Sequence, residues 1–340
     1  MAQPVIDIHA HILEPETIRL LQNEIGAAAP KLTPIDDESS LIEVAGRAFK
    51  PFPRGAWDLE RRLADMESCG FDRQVVSVCP QTFLYDQEPE VTLAVSRIQN
   101  EQIAALAASS DRFLGLATAP MQAPELAAEE LRRAMRLTGM VGPVIGANAN
   151  GRNLDDPELE PFWAAAAETG AFILVHPMNA AGVPGVGAYY LKNIVGNPLD
   201  TTIAAACLVF GGVLERHPAL KVCLAHGGGF VPYQAGRFVH GWEVRQEPKA
   251  NLKGSPQDSL DRLLYDTILH APEPLEFLVR NAGAERVMLG SDYPFDMGQY
   301  DAVGVIRSLA VSDAEKATVL GGAALALLGQ AERTPARAAS

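Results

Sequence analysis

Short apolar runs recur along the chain, and each is followed by a segment with helical spacing. Continuous rather than alternating hydrophobicity is typical of strands buried on both faces of a parallel sheet. Eight such units in one chain predict an α/β fold, a distorted (β/α)8 barrel, with a doubly wound sheet as the weaker competitor. The eight runs are VIDIHA, QVVSVCP, LGLATAP, MVGPVIG, FILVHP, VCLAHGG, LLYDT and VMLGSDYP.

Two of the segments between these runs have clear amphipathic spacing. They read PELAAEELRRAMRLTG and DPELEPFWAAAAETG, and they end at Gly139 and Gly170. A glycine just beyond an apolar periodic stretch is typical of a helix C-cap. The pattern therefore predicts two helices that end at these glycines.

Two connections are much longer than the usual handful of residues. Residues 12–60 follow the first predicted strand, and residues 178–198 follow the fifth. Long connections in a compact domain usually serve function, and in a barrel they lie at the C-terminal rim. We therefore predict one barrel domain over residues 1–330, with a loop insertion at 12–60, and a frayed tail over 331–340.

Composition and charge narrow the functional class. Of the 340 residues, 48% are apolar and 21% are charged, the balance of an ordinary soluble enzyme. The net charge is −14 and no long basic run occurs, which argues against a nucleic acid or an anionic membrane surface as partner. An anionic substrate would need a locally positive site, from a metal or from a few placed Arg and Lys.

Cysteine usage and the first residues predict a cytoplasmic protein. The four cysteines are scattered without a CxxC pair, as is typical of free thiols in a reducing compartment. The start MAQPVIDIHAH has neither a basic region nor an apolar signal core. No uninterrupted apolar run reaches the roughly 18 residues that a spanning helix requires.

Residues that can bind a metal follow the predicted strands at their carboxyl ends. His9 and His11 are two residues apart on one strand, so both side chains project from the same face. His176 ends the fifth strand, His226 the sixth, and Asp292 lies in the eighth. Three or four nitrogen and oxygen ligands with one open position suit a catalytic zinc ion. This coincidence at the strand ends predicts a metal site in the barrel mouth.

The remaining histidines are predicted to lie outside the metal site, and the fourth strand indicates how many metal ions it binds. His217 is predicted in a turn after a helix, His240 within a helix, and His270 near the rim in a structural role. Binuclear sites in such barrels need a bridging group, commonly a carboxylated lysine on strand four. The segment MVGPVIGANAN contains no lysine, so a single metal ion is expected.

The order of these motifs resembles the amidohydrolase superfamily (amidohydrolase 2), in particular its aminocarboxymuconate-semialdehyde decarboxylase-like branch. The resemblance rests on HxH, then HP, HGGG and GSDYPF, and extends through AWDLERRLADMESCGFDRQVVS and LVFGGVLERHPALKVCLAHGGG. It implies a distorted TIM barrel with one zinc ion, or Mn²⁺ or another divalent ion in its place. It also implies His226 as the acid/base. The implied metal ligands are His9, His11, His176 and Asp292.

The resemblance implies nonoxidative loss of CO₂ from a small aromatic or muconate-type carboxylic acid, without an organic cofactor. Expelling CO₂ from an sp² carbon leaves a costly carbanion unless that carbon is first protonated. The site therefore needs a proton donor and an electron sink. A metal can anchor substrate oxygens, and an imidazole near neutral pH can pass protons either way. His226 fits the proton-transfer role, with Asp292 beside it as a second catalytic group.

The resemblance also implies cations that bind the substrate carboxylate. The family uses an Arg shortly after HGGG that reaches the neighbouring subunit's site, and Arg237 matches it, which implies a homodimer. The family's other Arg, in the loop after strand one, is replaced here by Lys50. Lysine delivers a point charge and cannot make the planar, two-pronged contact of arginine. Arg47 or Arg54 could compensate, or could be solvated loop cations.

Two other classes of function stay open from the residues alone. A hydrolase or hydratase of the same fold could use activated water on a lactone, an amide or a carbon–carbon bond, because the same ligand set serves both reactions. A binding or scaffold protein with a vestigial barrel is disfavoured, because every ligand position is filled.

Overall fold

The computed structural model describes residues 3–178 and 184–328. Eight parallel strands form the central sheet, in the order β1-β5-β6-β7-β10-β11-β12-β13. The predicted tail at 331–340 lies outside the described residues, as do residues 179–183 of the predicted long connection. These eight strands are β1 (Ile6–Ile12), β5 (Arg73–Val78), β6 (Phe113–Ala117), β7 (Met140–Gly146), β10 (Phe172–His176), β11 (Lys221–Leu224), β12 (Leu264–Asp266) and β13 (Val287–Met288).

Each of the eight predicted apolar runs overlaps one barrel strand, and helices surround the sheet. Two short segments, Lys192–Gly196 and Thr318–Gly322, are π-helical. The α-helices are α1 (Pro15–Ile25), α2 (Leu59–Cys69), α3 (Pro89–Ser109), α4 (Pro124–Ala134), α5 (Glu160–Thr169), α6 (Asn197–Phe210), α7 (Val213–Arg216), α8 (Val231–Val244), α9 (Pro256–Leu260), α10 (Pro272–Ala282), α11 (Ala302–Ser308), α12 (Asp313–Ala317) and α13 (Ala323–Leu328).

The segment that follows β13 contacts β1 and so brings the two ends of the eight-stranded sheet together. The Ile8 N–H donates to the Leu289 carbonyl over 2.9 Å, and the His11 N–H donates to the Tyr293 carbonyl over 2.7 Å. Ala10 and Tyr293 form a parallel bridge. The prediction of an α/β TIM barrel is confirmed.

The barrel strands are buried along most of their length, which explains their largely apolar sequences. Every residue of β1, β7 and β10 is buried. At Gly142, a Cβ atom would collide with the carbonyl oxygen of Phe172 on the neighbouring strand, so glycine alone permits this close approach. All four cysteines are free, as predicted.

One of the two predicted helix ends is confirmed and the other is wrong. Gly170 caps α5 in the left-handed conformation, with φ of 64°. The helix before Gly139 ends earlier, at Ala134. The next residues make tighter i to i+3 bonds, such as the Leu137 N–H to the Ala134 carbonyl at 2.9 Å. Gly139, with φ of 76°, instead starts the entry into β7.

The long insertion after β1 is more regular than the predicted loop. Besides α1 it contains an antiparallel sheet in the order β2-β3-β4. Buried and more accessible positions alternate along SSLIEV, which is typical of a half-buried strand. Such a strand has no continuous apolar run, so the pattern that predicts the barrel strands does not predict it. The strands are β2 (Lys31–Pro34), β3 (Ser39–Val44) and β4 (Arg47–Pro53), and two further short strands pair after β7, β8 (Asn148–Ala149) and β9 (Arg152–Asn153).

The described part of the second long connection runs into a helical stretch at Lys192–Phe210. Among the described residues, this stretch is long and apolar enough to cross a membrane by length and composition alone. A helix packed against a core passes the same test. Ala204, Ala205, Leu208 and Val209 are all buried, and they belong to the barrel's apolar core.

Candidate metal and catalytic site

Two histidines of β1 form one side of the candidate site. His9 and His11 are both fully buried. Their Nε2 atoms are 3.1 Å apart. The two side chains therefore converge, as the i, i+2 spacing on one strand predicts.

His176 and Asp292 complete the cluster from elsewhere in the barrel. His176 is the last residue of β10, and its ring centroid lies 5.1 Å from that of His9 and 5.0 Å from that of His11. Asp292, which follows β13, places Oδ1 3.2 Å from His11 Nε2 and 3.5 Å from His9 Nε2. The structure thus brings together the four side chains that the sequence nominates.

The other ring nitrogen of each of these histidines contacts an oxygen atom. Nδ1 lies 2.8 Å from Asp266 Oδ2 in His9, 3.0 Å from the Val78 carbonyl in His11, and 2.7 Å from the Pro177 carbonyl in His176. A carbonyl or carboxylate oxygen only accepts, so each Nδ1 carries the proton. Each Nε2 atom is then unprotonated, and its lone pair points into the cluster. This Nδ1-protonated tautomer is the one that binds a metal through Nε2.

The spacing of these atoms fits one metal ion. Ligand atoms about 2.0 to 2.2 Å from a common centre lie roughly 3 Å from one another at bond angles of 90° to 110°. The distances of 3.1, 3.2 and 3.5 Å among His9, His11 and Asp292 agree with this value. Nε2 of His176 is buried and has no hydrogen-bond partner among the described residues. Converging lone pairs and a carboxylate indicate a divalent metal site.

Burial and charge set the protonation of the cluster. Burial lowers the pKa of His11, and lowers the pKa of His176 well below its usual range, so both imidazoles are neutral. Burial opposes ionisation of Asp292, but its contacts with the imidazoles of His11 and His226 outweigh burial and hold the pKa of Asp292 well below its usual range. Burial opposes protonation of His9, but its hydrogen bond with Asp266 and the nearby carboxylates outweigh burial and raise the pKa of His9, so a bound cation would displace a proton there. Neutral imidazoles around an ionised carboxylate are the form in which these groups bind a cation.

His226 lies beside this cluster, against the second oxygen of Asp292. Its Nε2 is 3.4 Å from Asp292 Oδ2, whereas Oδ1 faces His9 and His11. Both His226 and Asp292 have left-handed backbone, with φ of 56° and 57°. His and Asp tolerate this conformation better than most residues, and such positions concentrate at functional sites. One ligand atom from each of His9, His176, His226 and Asp292 fits within a mutual 4.8 Å, so His226 is also within reach of a shared cation.

A cavity of about 410 Å³ opens onto the cluster and is called the metal cavity below. His176, His226 and Asp292 lie in its wall, and Lys50 lies there too, on β4 of the insertion. The structure therefore places the predicted substrate-binding lysine in the same cavity as the metal cluster. A cation at this position can attract a carboxylate despite the acidic character of the chain.

The other predicted cations lie elsewhere. Arg47 points into a neighbouring cavity and pairs with Asp86 over 3.2 Å. Arg54 pairs with Asp58 over 2.8 Å. Arg237 is exposed on α8, does not line the metal cavity, and has no ion pair within the described ranges. Within one subunit, Lys50 is the cation that meets the metal cavity.

The three remaining histidines lie away from the metal cluster, as predicted. His217 pairs with Glu160 over 2.6 Å. His240 is an exposed residue of α8. His270 has left-handed backbone, and its N–H donates to Gln299 over 3.2 Å.

Asp266 is a further candidate residue of this site that the sequence analysis does not predict. It is fully buried at the end of β12, and its Oδ2 accepts from His9 Nδ1 and from the His226 N–H over 2.9 Å. Its Oδ1 accepts from the N–H groups of Gly227 over 2.8 Å and Ile268 over 3.1 Å. One carboxylate therefore orients both a candidate ligand and the turn that carries His226. In the sequence, the feature that indicates this role is an acidic residue inside the apolar run LLYDT.

We expect Asp266→Asn to lower metal affinity by about 10- to 100-fold, the usual effect of losing a group that orients a ligand. An amide has one acceptor oxygen, so its nitrogen would face N–H donors that Asp266 now satisfies. Competition with a chelator would measure the affinity. Asp261→Asn is the control, because Asp261 is an exposed residue of the same region. Equal affinities in the two variants would contradict this role.

Comparison with known proteins gives one family and consistent relatives. A family model described as Amidohydrolase matches residues 6–330. The chain is 35% identical over 330 residues to 2-amino-3-carboxymuconate-6-semialdehyde decarboxylase of Dictyostelium discoideum, covering 95% of this chain and 91% of that protein. The fold matches the crystal structure of 5-carboxyvanillate decarboxylase from Sphingomonas paucimobilis with a TM-score of 0.81, at 23% identity over 96% and 99% of the two chains.

A second solved structure of similar fold contains a bound metal ion. It is the dihydroxybenzoic acid decarboxylase from Polaromonas sp. JS666, with bound manganese and the inhibitor 2-nitroresorcinol. The match has a TM-score of 0.79 at 23% identity, and covers 96% of this chain and 97% of that one.

Proposed function

The chain belongs to the amidohydrolase family, and from this we propose that it is a metal-dependent carboxy-lyase. The reaction is the nonoxidative removal of CO₂ from a small aromatic or muconate-type carboxylic acid. The observation that carries the proposal is the buried convergence of three imidazole nitrogens and one carboxylate beside a separate imidazole, His226. The relatives named above are decarboxylases of such acids, which favours this reaction over hydrolysis or hydration.

We propose His9, His11, His176 and Asp292 as the ligands of one divalent ion. The excess of imidazole nitrogen over carboxylate oxygen favours zinc, whereas the Polaromonas relative carries manganese. When bound, the ion would supply a positive charge that anchors substrate oxygens and draws electron density from the reacting carbon. Metal analysis of protein purified without added metal would identify it.

The protein's own residues then position the acid and move a proton. The Lys50 ammonium attracts the substrate carboxylate into the metal cavity. Protonated His226 donates from Nε2 to the carbon that bears the carboxylate. The carbon–carbon bond to the carboxylate then breaks, its electron pair restores the π system, and CO₂ leaves. His226 regains a proton from solvent, which its partly exposed position allows.

A direct test is CO₂ release from a panel of carboxylated catechol, pyridine and muconate acids, with metal-loaded and metal-stripped enzyme. We expect at least one acid to lose CO₂ only when the metal is present. Ring-opened or lactone-hydrolysis products without CO₂ would instead establish the hydrolase or hydratase alternative. A purified protein without bound metal would exclude both the decarboxylase and the hydrolase or hydratase.

We further propose a cytoplasmic homodimer in which Arg237 reaches the partner's substrate. The free cysteines support a reducing location. Arg237 lies on α8, and the same region exposes large apolar side chains at Phe230, Tyr233 and Val244. Exposed apolar side chains next to an arginine suit a protein interface.

Arg237→Ala should raise KM about 10-fold or more, because the carboxylate loses a charged partner. Complementation between two variants tests more directly whether Arg237 acts on the partner's site. Subunits of Arg237→Ala and His176→Ala, each weakly active or inactive alone, are mixed. If Arg237 acts on the partner's site, a mixed dimer contains one site with both an intact metal cluster and an intact arginine. Activity should then recover on mixing. Arg245→Ala, at an exposed arginine just beyond α8, is the control. A monomeric protein, or no recovery, would refute the proposal.

A further inference from the structure

Arg62 is a fully buried charge that the proposed reaction does not use. It lies on α2 and does not line the metal cavity. Within the described ranges its guanidinium donates only to neutral oxygens, namely the His11 carbonyl, the Gly55 carbonyl over 3.0 Å and Gln74 Oε1 over 2.9 Å. Removing a charge from water without an opposite charge beside it is unfavourable. A buried arginine at this position therefore indicates a role that an apolar side chain could not fill.

The contacts of Arg62 lie where the two ends of the barrel sheet meet. We call the contact between β1 and the segment after β13 the seam. On the β1 side, the guanidinium donates to the His11 carbonyl. On the other side, its Cζ lies 4.7 Å from the centroid of the Tyr293 ring. Arg62 therefore contacts one proposed metal ligand, His11, and the residue that directly follows another, Asp292.

The carbonyl of His11 lacks the backbone donor that would continue the seam. The His11 N–H donates to the Tyr293 carbonyl over 2.7 Å. In a parallel pair of strands, the carbonyl of the same residue accepts from an N–H further along the neighbouring strand. Here Pro294 has no N–H, and the Phe295 N–H donates to the Asp292 carbonyl over 3.0 Å. The buried guanidinium supplies the missing donor.

A second side chain of α2 holds the other side of the seam. The Tyr293 hydroxyl donates to Asp65 Oδ2 over 2.8 Å, and Arg61 Nε donates to Asp65 Oδ1 over 2.9 Å. The Tyr293 ring is thus held at its hydroxyl by Asp65 and on its face by Arg62. At Gly55 a Cβ atom would collide with the Tyr293 hydroxyl, so the chain packs closely there. One helix therefore fixes both sides of the seam.

We propose that Arg62 is a positioning residue of the metal site, which holds His11 at the separation from Asp292 that a shared ion needs. This inference rests on the proposed function, because it assumes that both residues are metal ligands. Their ligand atoms, Nε2 and Oδ1, are 3.2 Å apart and belong to opposite sides of the seam. Without the guanidinium, a buried carbonyl of β1 is left unpaired. The end of β1 then shifts to find another donor, and the two ligand atoms lose their spacing.

Titration with Co²⁺, followed by visible absorption, measures the affinity and the coordination geometry of the site without any reaction. Arg62→Met has no donor, and we expect its affinity to fall about 10- to 100-fold with a changed spectrum, as when an orienting group is lost. Arg62→Lys keeps a charged donor but not the planar contacts, so its affinity should fall roughly 2- to 10-fold. Met66→Ala is the control, because Met66 is a buried core residue of the same helix. It should lower Tm and keep the wild-type affinity and spectrum.

Thermal unfolding would show which variants are folded. Wild-type affinity and spectrum in folded Arg62→Met would overturn the inference, as would an equal loss of affinity in Met66→Ala. If Arg62→Met does not fold, wild-type Co²⁺ binding by Arg62→Lys would overturn it. An enzyme whose Co²⁺ affinity depends on Arg62 but which releases no CO₂ would support the positioning role and refute the decarboxylase proposal instead.

Discussion

Replacing His176 with alanine should abolish metal binding and catalysis together. Its Nε2 is buried without a partner among the described residues, while its Nδ1 is held against the Pro177 carbonyl. A ring fixed by one nitrogen and unpaired at the other has a geometry suited to binding a cation. Removing it deletes a ligand itself, so metal affinity should fall by more than the roughly 100-fold seen when only an orienting group is lost. Turnover should fall to background.

Metal per subunit after dialysis, and CO₂ release from the best acid, are the two measurements. His240→Ala is the matched control, because it removes a histidine whose side chain is exposed on α8. Circular dichroism would show whether His176→Ala keeps its fold, and His176→Gln provides a second variant that leaves less empty space. Full metal content in either folded variant would contradict the proposed ligand set.

His226→Asn should keep the metal and lose about 10²- to 10⁴-fold in kcat, the usual contribution of a positioned acid or base. Asparagine is chosen because residue 226 has φ of 56°, a conformation that asparagine tolerates and alanine does not. The backbone N–H would still donate to Asp266, so the turn should survive. An amide cannot release a proton at neutral pH, so only the proton-transfer step is removed.

Metal content decides between two roles for His226. Its Nε2 faces Asp292 Oδ2, on the other side of the carboxylate from His9 and His11, which suits proton transfer. It is nevertheless within reach of a shared cation with His9, His176 and Asp292. Loss of metal in His226→Asn, with His240→Ala unchanged, would make His226 a ligand and not the proton donor.

The barrel could be predicted because its strands differ from the rest of the chain in one simple property. A strand covered on both faces is apolar at most of its positions, and β1, β7 and β10 are buried throughout. The candidate ligands could be found for a related reason. The carboxyl ends of parallel strands meet at one rim, so polar residues that break off apolar runs there are neighbours in space.

What escaped prediction depends on pairings that a linear pattern does not encode. Asp266 was passed over because a single acid at a strand end has no partner visible in the sequence, although it holds His9 and the turn of His226. Arg47 was nominated for the substrate, but Asp86, distant in sequence, binds it beside a different cavity. In the small sheet of the insertion, β3 alternates between buried and accessible positions, which differs from the continuous apolar runs of the barrel strands.

The contact between β1 and the segment after β13 has a consequence for how the protein is made. A ribosome releases His9 and His11 long before Asp292 and the segment after β13 that pairs with β1. In the nascent chain the two histidines of β1 therefore lack the Asp292 carboxylate, the proposed fourth metal ligand. Pairings between such distant segments form slowly. Capture of the metal should follow barrel closure, so a chain cut short before residue 292 would lack both the ion and the seam that the ion reinforces.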